Sequence, residues 1–221
     1  MNKALLSEKI TGTFTVEGIG IGCAHVTVEA SSADAPKGLF IESDGYICME
    51  AEHFSEKADT KKGGFKVLTP YVRSGSAIKV FPVTADFYQE KKSPSVTYKF
   101  LASEDSEYEA VFLLAPTTPV TFKPEQYLAY SVNGTKTKII NTVKNPEIQF
   151  FFSPQWREDA KNSLKTVTDT VKLVKGENEL KFYGCSPGIV LERIVIIKKG
   201  KEIPKSYLGP RESYIRGLEE E

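Results

Sequence analysis

The feature that most constrains this chain is a series of short segments rich in β-branched and aromatic residues, separated by Pro, Gly and Asn. The segments recur about every ten residues, which is typical of an antiparallel β-sandwich or jelly roll. Alternation within a segment supports strands, since Val96, Tyr98 and Phe100 fall on one face of an extended chain. The predicted strands of the sandwich cover residues 65–68, 76–81, 95–101, 108–114, 126–132, 137–141, 147–152, 166–174, 179–183 and 189–197.

Three local patterns refine this prediction. Asn133-Gly134 lies between two strand-like runs and predicts a two-residue hairpin turn. Residues 153–161 break the β pattern with Ser at an N-cap position and Pro at the first helical position, so we expect a short helix there. The run 189–197 is apolar except for Glu192 and Arg193, which predicts a buried central strand.

The N-terminal region has a different organisation. Residues 11–17 and 23–29 are β-rich and joined by a Gly-rich stretch, which predicts a hairpin. A lone hairpin is marginally stable in water, so it must pack on the following domain, another copy or a missing neighbour. Small polar residues at 30–38 indicate a linker. The expected division is therefore 1–37 for hairpin and linker, 38–214 for the β-sandwich module and 215–221 for a frayed tail.

Charge and composition exclude several classes of function. Lys and Arg number 29 and Asp and Glu number 29, so no overall field attracts nucleic acid or an anionic membrane. The apolar run near the N-terminus stops after Leu6, and we expect neither a signal peptide nor a transmembrane helix in this chain. Three cysteines without CxxC spacing and two histidines predict buried free thiols and neither a disulfide framework nor a zinc site.

A pair of glutamates, Glu50 and Glu52, stands in the strand-like run 45–54. Alternate residues of an extended segment share a face, so these two charges are expected side by side. Three interpretations follow: a solvated or salt-bridged strand end, a cation site, or a catalytic carboxylate pair. The spacing of about 6.6 Å is near that of an inverting glycosidase, but its acid and base flank the scissile bond from opposite sides. A same-face pair on one strand therefore disfavours catalysis.

Four segments together resemble a known family. Residues 44–54, 73–84, 187–196 and 204–213, the last with its Ser-Tyr-Leu-Gly-Pro sequence, are similar to the C-terminal domain of glycoside hydrolase family 115, the xylan α-1,2-glucuronidases. The resemblance covers about residues 38–214. It implies a β-sandwich module on a larger, secreted or periplasmic chain that removes glucuronic acid groups from xylan. The catalytic residues of such enzymes lie elsewhere, so this chain by itself is not expected to be an enzyme. The hairpin resembles the end of a preceding β-domain.

A more distant similarity suggests a metal. Carbohydrate-binding modules of families 6 and 35, with a galactose-binding-like jelly roll, share the Glu-x-Glu start and often hold a structural calcium ion. The resemblance implies Glu50, Glu52 and Glu192 as ligands, with Glu192 in place of the usual aspartate. Pairing of Glu192 with Arg193 or a lysine is the alternative.

Sugar recognition requires an aromatic platform, and a uronic acid also requires a cationic side chain. Trp156 with Arg157, and Tyr71 with Arg73, are the candidate residues. The alternative is that Trp156 fills a core or domain interface and that Tyr71 and Arg73 fix a loop.

Three functions remain. The favoured one is a non-catalytic module that supports the catalytic domain of its parent chain or a subunit assembly such as a homodimer, and it predicts apolar surface around the hairpin or residues 207–214. The second is a carbohydrate-binding module for xylan or for oligosaccharides that bear glucuronic acid, which predicts an exposed aromatic residue with a charged neighbour in a groove. An independent enzyme comes last, because the sequence has neither a Gly-x-Ser-x-Gly motif nor a phosphate loop.

Overall fold

The computed structural model describes residues 6–18, 22–33, 37–71, 73, 75–84, 87, 93–120, 123, 125–143, 153–204, 206–213 and 215. Strands account for most of the regular structure in these ranges. In chain order the elements are β1 (Leu6–Gly18), β2 (Gly22–Ala33), β3 (Phe40–Ile41), β4 (Tyr46–Glu50), β5 (Glu56–Ala58), β6 (Gly64–Tyr71), β7 (Gly75–Phe81), β8 (Ser95–Ala102), β9 (Ser106–Leu114), β10 (Tyr127–Val132), β11 (Lys138–Asn141), α1 (Pro154–Lys161), β12 (Lys165–Leu173), β13 (Gly176–Tyr183) and β14 (Val190–Lys198).

Two sheets form the body of the molecule. The first sheet has the order β11-β10-β13-β8-β3, with β5 also paired to β8, and the second has the order β12-β9-β14-β7-β6, with β4 also paired to β14. All of these pairs are antiparallel except β3 with β8. The predicted all-β antiparallel sandwich is confirmed.

Aromatic rings join the two sheets. The ring of Phe112 in the second sheet lies 4.7 Å from Tyr130 and 6.0 Å from Phe182, both in the first sheet. Phe65 of the second sheet lies 5.9 Å from the same Phe182 ring. Tilted ring pairs at such distances each contribute about 0.5–1.5 kcal/mol beyond their buried area. The core is therefore the layer between the sheets, and the strands present alternate side chains to it.

Strand β14 is the central strand of the second sheet. It pairs with β9 along one edge, while its other edge is shared, first by β7 and then, from Arg193 onward, by β4. All side chains from Val190 to Ile197 are buried, as predicted. The register with β9 shifts between Leu191 and Arg193, so Glu192 sits at a bulge where the neighbouring strand changes. Glu192 and Arg193 are both charged and buried here, so each needs a group of opposite charge or hydrogen-bonding groups around it.

The N-terminal hairpin forms a separate two-stranded sheet. Its strands are longer than predicted, with Phe14 opposite Val26 and Val16 opposite Ala24. Phe14 and Val16 lie on one face and are 52% and 53% exposed, and Val26 is 36% exposed. No other strand in the described part of the chain pairs with this hairpin. Residues 34–36 lie outside the described ranges, and the proposed domain division stays a prediction.

The other local predictions have mixed outcomes. Helix α1 is confirmed, and its Ser153 hydroxyl accepts the Trp156 N–H at 3.4 Å. Asn133 and Gly134 adopt positive φ angles of 50° and 66°, as expected for this turn. Pairing starts only at Tyr130 with Lys138, so the connection is longer than two residues. The predicted strand 147–152 and the tail after residue 215 lie outside the described residues.

The thiols differ in environment. Cys48 and Cys185 are buried and free, whereas Cys23 on the hairpin is exposed, contrary to expectation. Burial raises the pKa of Cys48 to about 12, so its thiol is not a ready nucleophile. Within the described ranges no helix is long and apolar enough to span a bilayer.

Candidate functional site

The three glutamates of interest lie where β4 ends beside the bulge of β14. Strand β4 stops at Glu50, and Ala51 and Glu52 form a turn, so the extended geometry expected to put both glutamates on one face does not continue to Glu52. Two hydrogen bonds fix this turn. The Ala51 N–H donates to the carbonyl of Glu192 at 3.0 Å, and the Ala51 carbonyl accepts the Tyr98 hydroxyl at 2.7 Å.

Glu50 is paired with an arginine. The Nη2 atom of Arg193 lies 2.6 Å from Oε1 of Glu50, and their side chains are only 7% and 13% exposed. The two residues are direct partners in the β4–β14 register. Burial raises the pKa of the Glu50 carboxyl, and Arg193 opposes that rise. The other arm of the guanidinium, Nη1, donates to the carbonyls of Leu208 at 2.5 Å and Pro210 at 2.9 Å.

A second arginine faces Glu192. Arg73, in the turn between β6 and β7, places its Nε 3.9 Å from Oε1 of the fully buried Glu192. Its Nη1 donates to the Tyr207 carbonyl at 2.7 Å, and its guanidinium lies 5.6 Å from the Tyr207 ring centre. The Arg73 side chain is 9% exposed. Its charge is therefore directed at the protein, and the sugar contact of Arg73 stays a prediction.

Both arginines contact the same C-terminal segment, residues 206–213, which we call the strap. The strap also bonds the edge of β4: the Ser213 N–H donates to the Cys48 carbonyl and the Cys48 N–H donates to the Ser213 hydroxyl, each at 2.9 Å. The Glu50 N–H donates to the Glu212 carboxylate at 3.0 Å, and the hydrogen bond between His53 and Glu212 raises the pKa of His53. The strap thus covers the end of β4.

The glutamates do not fit a shared calcium ion as they stand. Calcium takes six to eight oxygen ligands, and among the described residues no group of three or more His, Cys, Asp or Glu side chains is arranged to hold a metal. Glu50 faces Arg193 and Glu192 faces Arg73. The Oε2 atoms of Glu50 and Glu52 have no hydrogen-bond partner in the described ranges, and this is the feature that favours a bound cation or water. The calcium ion stays a prediction.

The structure places the two pairs of sugar-binding candidates apart. Helix α1, which carries Trp156 and Arg157, packs on β12, whereas Tyr71 ends β6 and Arg73 lies in the turn that follows it. Strands β12 and β6 form the two ends of the second sheet. They are separated by four strand spacings, or about 19 Å. Trp156 is partly buried and Arg157 exposed, and successive helical positions do not face each other. Tyr71 is exposed.

Sequence reasoning missed most of the partners at this site. The sequence indicates Arg193 only as a neighbour of Glu192, and it does not identify the strap groups that bind both arginines. The signal that was available is an arginine inside an otherwise apolar strand, because a buried guanidinium requires several acceptors.

A family model decides the identity of the domain. The model of the Glycosyl hydrolase family 115 C-terminal domain matches residues 39–212. The chain belongs to this family. The matched residues run from just before β3 into the strap, so they include both arginines, the three glutamates and all four sugar-binding candidates. The N-terminal hairpin precedes them.

Individual relatives of the chain are distant. No curated protein matches the sequence. Among solved structures, the chain is similar to BtGH115A, a family GH115 4-O-methyl-α-glucuronidase with specificity for decorated arabinogalactans, at 18% identity and a TM-score of 0.49, over 77% of this chain and 20% of that one. It is also similar to a family 35 carbohydrate-binding module from Clostridium thermocellum at 12% identity and a TM-score of 0.45, over 69% of this chain and 98% of that one.

A third structural likeness is to the C-terminal family 6 module of LamC from Zobellia galactanivorans, at 14% identity and a TM-score of 0.45, over 69% of this chain and 99% of that one. At these scores the likenesses support no conclusion about function. The chain spans 30% and 20% of the first two structures it matches, an exo-β-1,3-galactanase from Phanerochaete chrysosporium and BtGH115A.

Proposed function

We propose that this chain is a non-catalytic module of a longer glycoside hydrolase and that it supports the catalytic part by packing against it. The observation that carries the proposal is exposed apolar surface at the two places where such a role requires it, the N-terminal hairpin and the strap. The match to the Glycosyl hydrolase family 115 C-terminal domain supports a glycoside hydrolase as the longer protein. Removal of glucuronic acid groups from xylan by a secreted or periplasmic parent belongs to the same proposal.

The hairpin provides the larger of these surfaces. Phe14, Val16 and Val26 are adjacent on its face, and each leaves a third or more of its area in water. An isolated pair of strands is marginally stable in water, because it buries too little apolar surface to offset the loss of chain entropy. Contact with a third layer would bury these side chains and stabilise the hairpin. Exposed apolar clusters of this kind mark interaction sites.

The strap provides the second surface. Tyr207 and Leu208 are 73% and 55% exposed, yet the carbonyls of both residues are held by Arg73 and Arg193. Their side chains are therefore presented on a fixed backbone. A surface already held in its bound geometry loses little entropy on association, which favours a stable contact.

The partner we propose is the remainder of the parent chain. The hairpin precedes the matched family domain in sequence, so its apolar face is positioned to complete a domain on the N-terminal side. A second copy of this chain is the competing partner, and it would pair through the same face.

The test uses the parent glucuronidase with Phe14→Ser and Val26→Ser together, and Ile139→Ser as the matched control. The exposed fraction of Ile139, 55%, is similar to the 52% of Phe14, but Ile139 belongs to β11 and not to the hairpin. We expect the hairpin variant to lose activity at a lower temperature than the wild type, while the control does not. Equal thermal inactivation of both variants would contradict the proposal. Sedimentation of the same proteins reports whether a second copy is the partner.

A carbohydrate-binding module remains the second candidate, because Tyr71 presents an exposed aromatic ring at the end of β6. Calorimetric titration of this chain with xylan oligosaccharides that bear glucuronic acid separates the two functions. Binding that is lost in Trp156→Ala or Tyr71→Ala would establish sugar recognition. Folded protein that gives no heat with any fragment supports the structural role.

A further inference from the structure

We propose that the buried glutamates at the end of β4 bind the chain's own arginines in place of a metal ion, and that this pairing holds the strap on the sandwich. The inference stands apart from the proposed supporting role. It concerns the internal chemistry of residues 50, 73, 192, 193 and 206–213, whichever partner the module binds.

Three protein oxygens surround the guanidinium of Arg193. Its guanidinium is bonded to a Glu50 carboxylate oxygen at 2.6 Å and to the carbonyl oxygens of Leu208 and Pro210 at 2.5 and 2.9 Å. One carboxylate and two backbone carbonyls are ligands that calcium also accepts. The guanidinium already fills the space between them, and these distances leave no room for a second cation. The guanidinium of Arg193, a side chain of β14, is therefore the cation that these three oxygens bind.

Arg73 makes a looser arrangement of the same kind on the neighbouring strands, because its Nε lies 3.9 Å from Oε1 of Glu192, beyond hydrogen-bond distance. It faces the carboxylate of Glu192 on one side and donates to the Tyr207 carbonyl of the strap on the other. Each arginine therefore links a glutamate of the second sheet to a backbone carbonyl of the strap. A planar group with five fixed N–H donors suits such bridging, whereas calcium would need several more oxygens at each position.

Gly209 fits the shape of the guanidinium. Its φ is +80°, a conformation that favours glycine, and a Cβ atom at this position would lie 2.9 Å from Nη1 of Arg193. The strap carbonyls on either side of Gly209 are the two that Arg193 binds. The strap therefore bends tightly around an arginine head, and any side chain at residue 209 would displace it.

Glu52 does not require a metal in this scheme. It lies in the turn after β4 and is partly exposed, and its buried Oε2 atom, which has no hydrogen-bond partner in the described ranges, needs no more than a water molecule as donor. With Glu50 and Glu192 facing guanidinium groups, the carboxylate oxygens left over are those of Glu52 and Oε2 of Glu50, which are fewer than the six to eight oxygens that calcium takes.

The first experiment measures whether calcium binds, and it starts from the wild-type chain. The wild-type chain is melted after dialysis against a chelator and again in millimolar calcium chloride, and calcium is titrated into it in a calorimeter. We expect the same melting temperature in both buffers and no binding heat. A higher melting temperature in calcium that disappears in Glu50→Gln would overturn the inference.

The second experiment measures whether the arginine holds the strap. Arg211 is exposed within the strap, so the rate of trypsin cleavage after it reports how often the strap opens. We expect faster cleavage in Arg193→Met, and unchanged cleavage in Lys199→Met, which removes an exposed ion pair with Glu107. Should Arg193→Met fail to fold, Gly209→Ala serves instead, because it displaces the guanidinium and keeps every charge. Cleavage at the wild-type rate in the folded variant would contradict the proposal.

Discussion

The guanidinium of Arg193 and the carboxylate of Glu50 face each other across adjacent strands, with Nη2 2.6 Å from Oε1. The pair is nearly excluded from water, and the same guanidinium binds two carbonyls of the strap. A contact between two strands of the second sheet therefore also fixes the last segment of the family domain. A substitution in this pair is therefore expected to loosen the strap and to destabilise the sandwich.

Replacing Arg193 by Met is expected to destabilise the fold by about 3–5 kcal/mol, because it leaves a buried carboxylate without its cation. Urea unfolding followed by circular dichroism measures this free energy. Lys199→Met is the control, since Lys199 and Glu107 form their ion pair at the surface and such pairs contribute little. Equal midpoints for wild type and Arg193→Met would show that the buried pair does not stabilise the fold.

Alanine at Gly209 is expected to cost more than alanine at Gly200. Both glycines have positive φ, +80° and +87°, so each substitution carries about 1–2 kcal/mol of backbone strain. A Cβ at Gly200 has open space, whereas one at Gly209 would meet Arg193 at 2.9 Å. The difference between the two unfolding free energies isolates this contact. If both variants lose the same stability, the strap does not bend around a fixed guanidinium.

Acid stability is expected to depend on Asp169. Burial acts to raise the pKa of this carboxyl, but hydrogen bonds from Tyr130 and Lys138 outweigh it and lower the pKa. A group whose pKa is lower in the folded state contributes stability above its unfolded pKa, near 4, and the contribution disappears as the pH falls through the folded value. Unfolding midpoints between pH 2 and 7 should therefore fall less steeply for Asp169→Asn than for wild type. Parallel curves would refute this assignment.

The sandwich was predictable because most of its strands carry strong β signals. β8, β9 and β14 are long enough to show alternation or a continuous apolar run, and the structure has them within two residues of the predicted bounds. β3 and β5 were missed because segments of two and three residues show no period. Their pairing to β8 is a tertiary contact that local sequence does not encode.

The site was less predictable for a different reason. Neighbouring residues of a strand point to opposite faces, so the partner of Arg193 is set by the register that places it opposite Glu50, and register is a long-range property. Both arginines bind backbone carbonyls of the strap. Every residue type has a backbone carbonyl, so the sequence does not reveal which residues supply these acceptors. Gly209 is the exception, because the bend around Arg193 excludes any side chain.

We propose that the apolar faces of the hairpin and the strap are covered in the longer protein that contains this chain. Hydroxyl-radical footprinting of this chain and of the longer protein that contains it measures this directly through oxidation of Phe14 and Tyr207, with exposed Tyr71 as the internal reference. We predict that Phe14 and Tyr207 are oxidised several-fold more slowly in the parent, while Tyr71 is oxidised at the same rate in both. Equal rates for all three residues in the two proteins would contradict the supporting role.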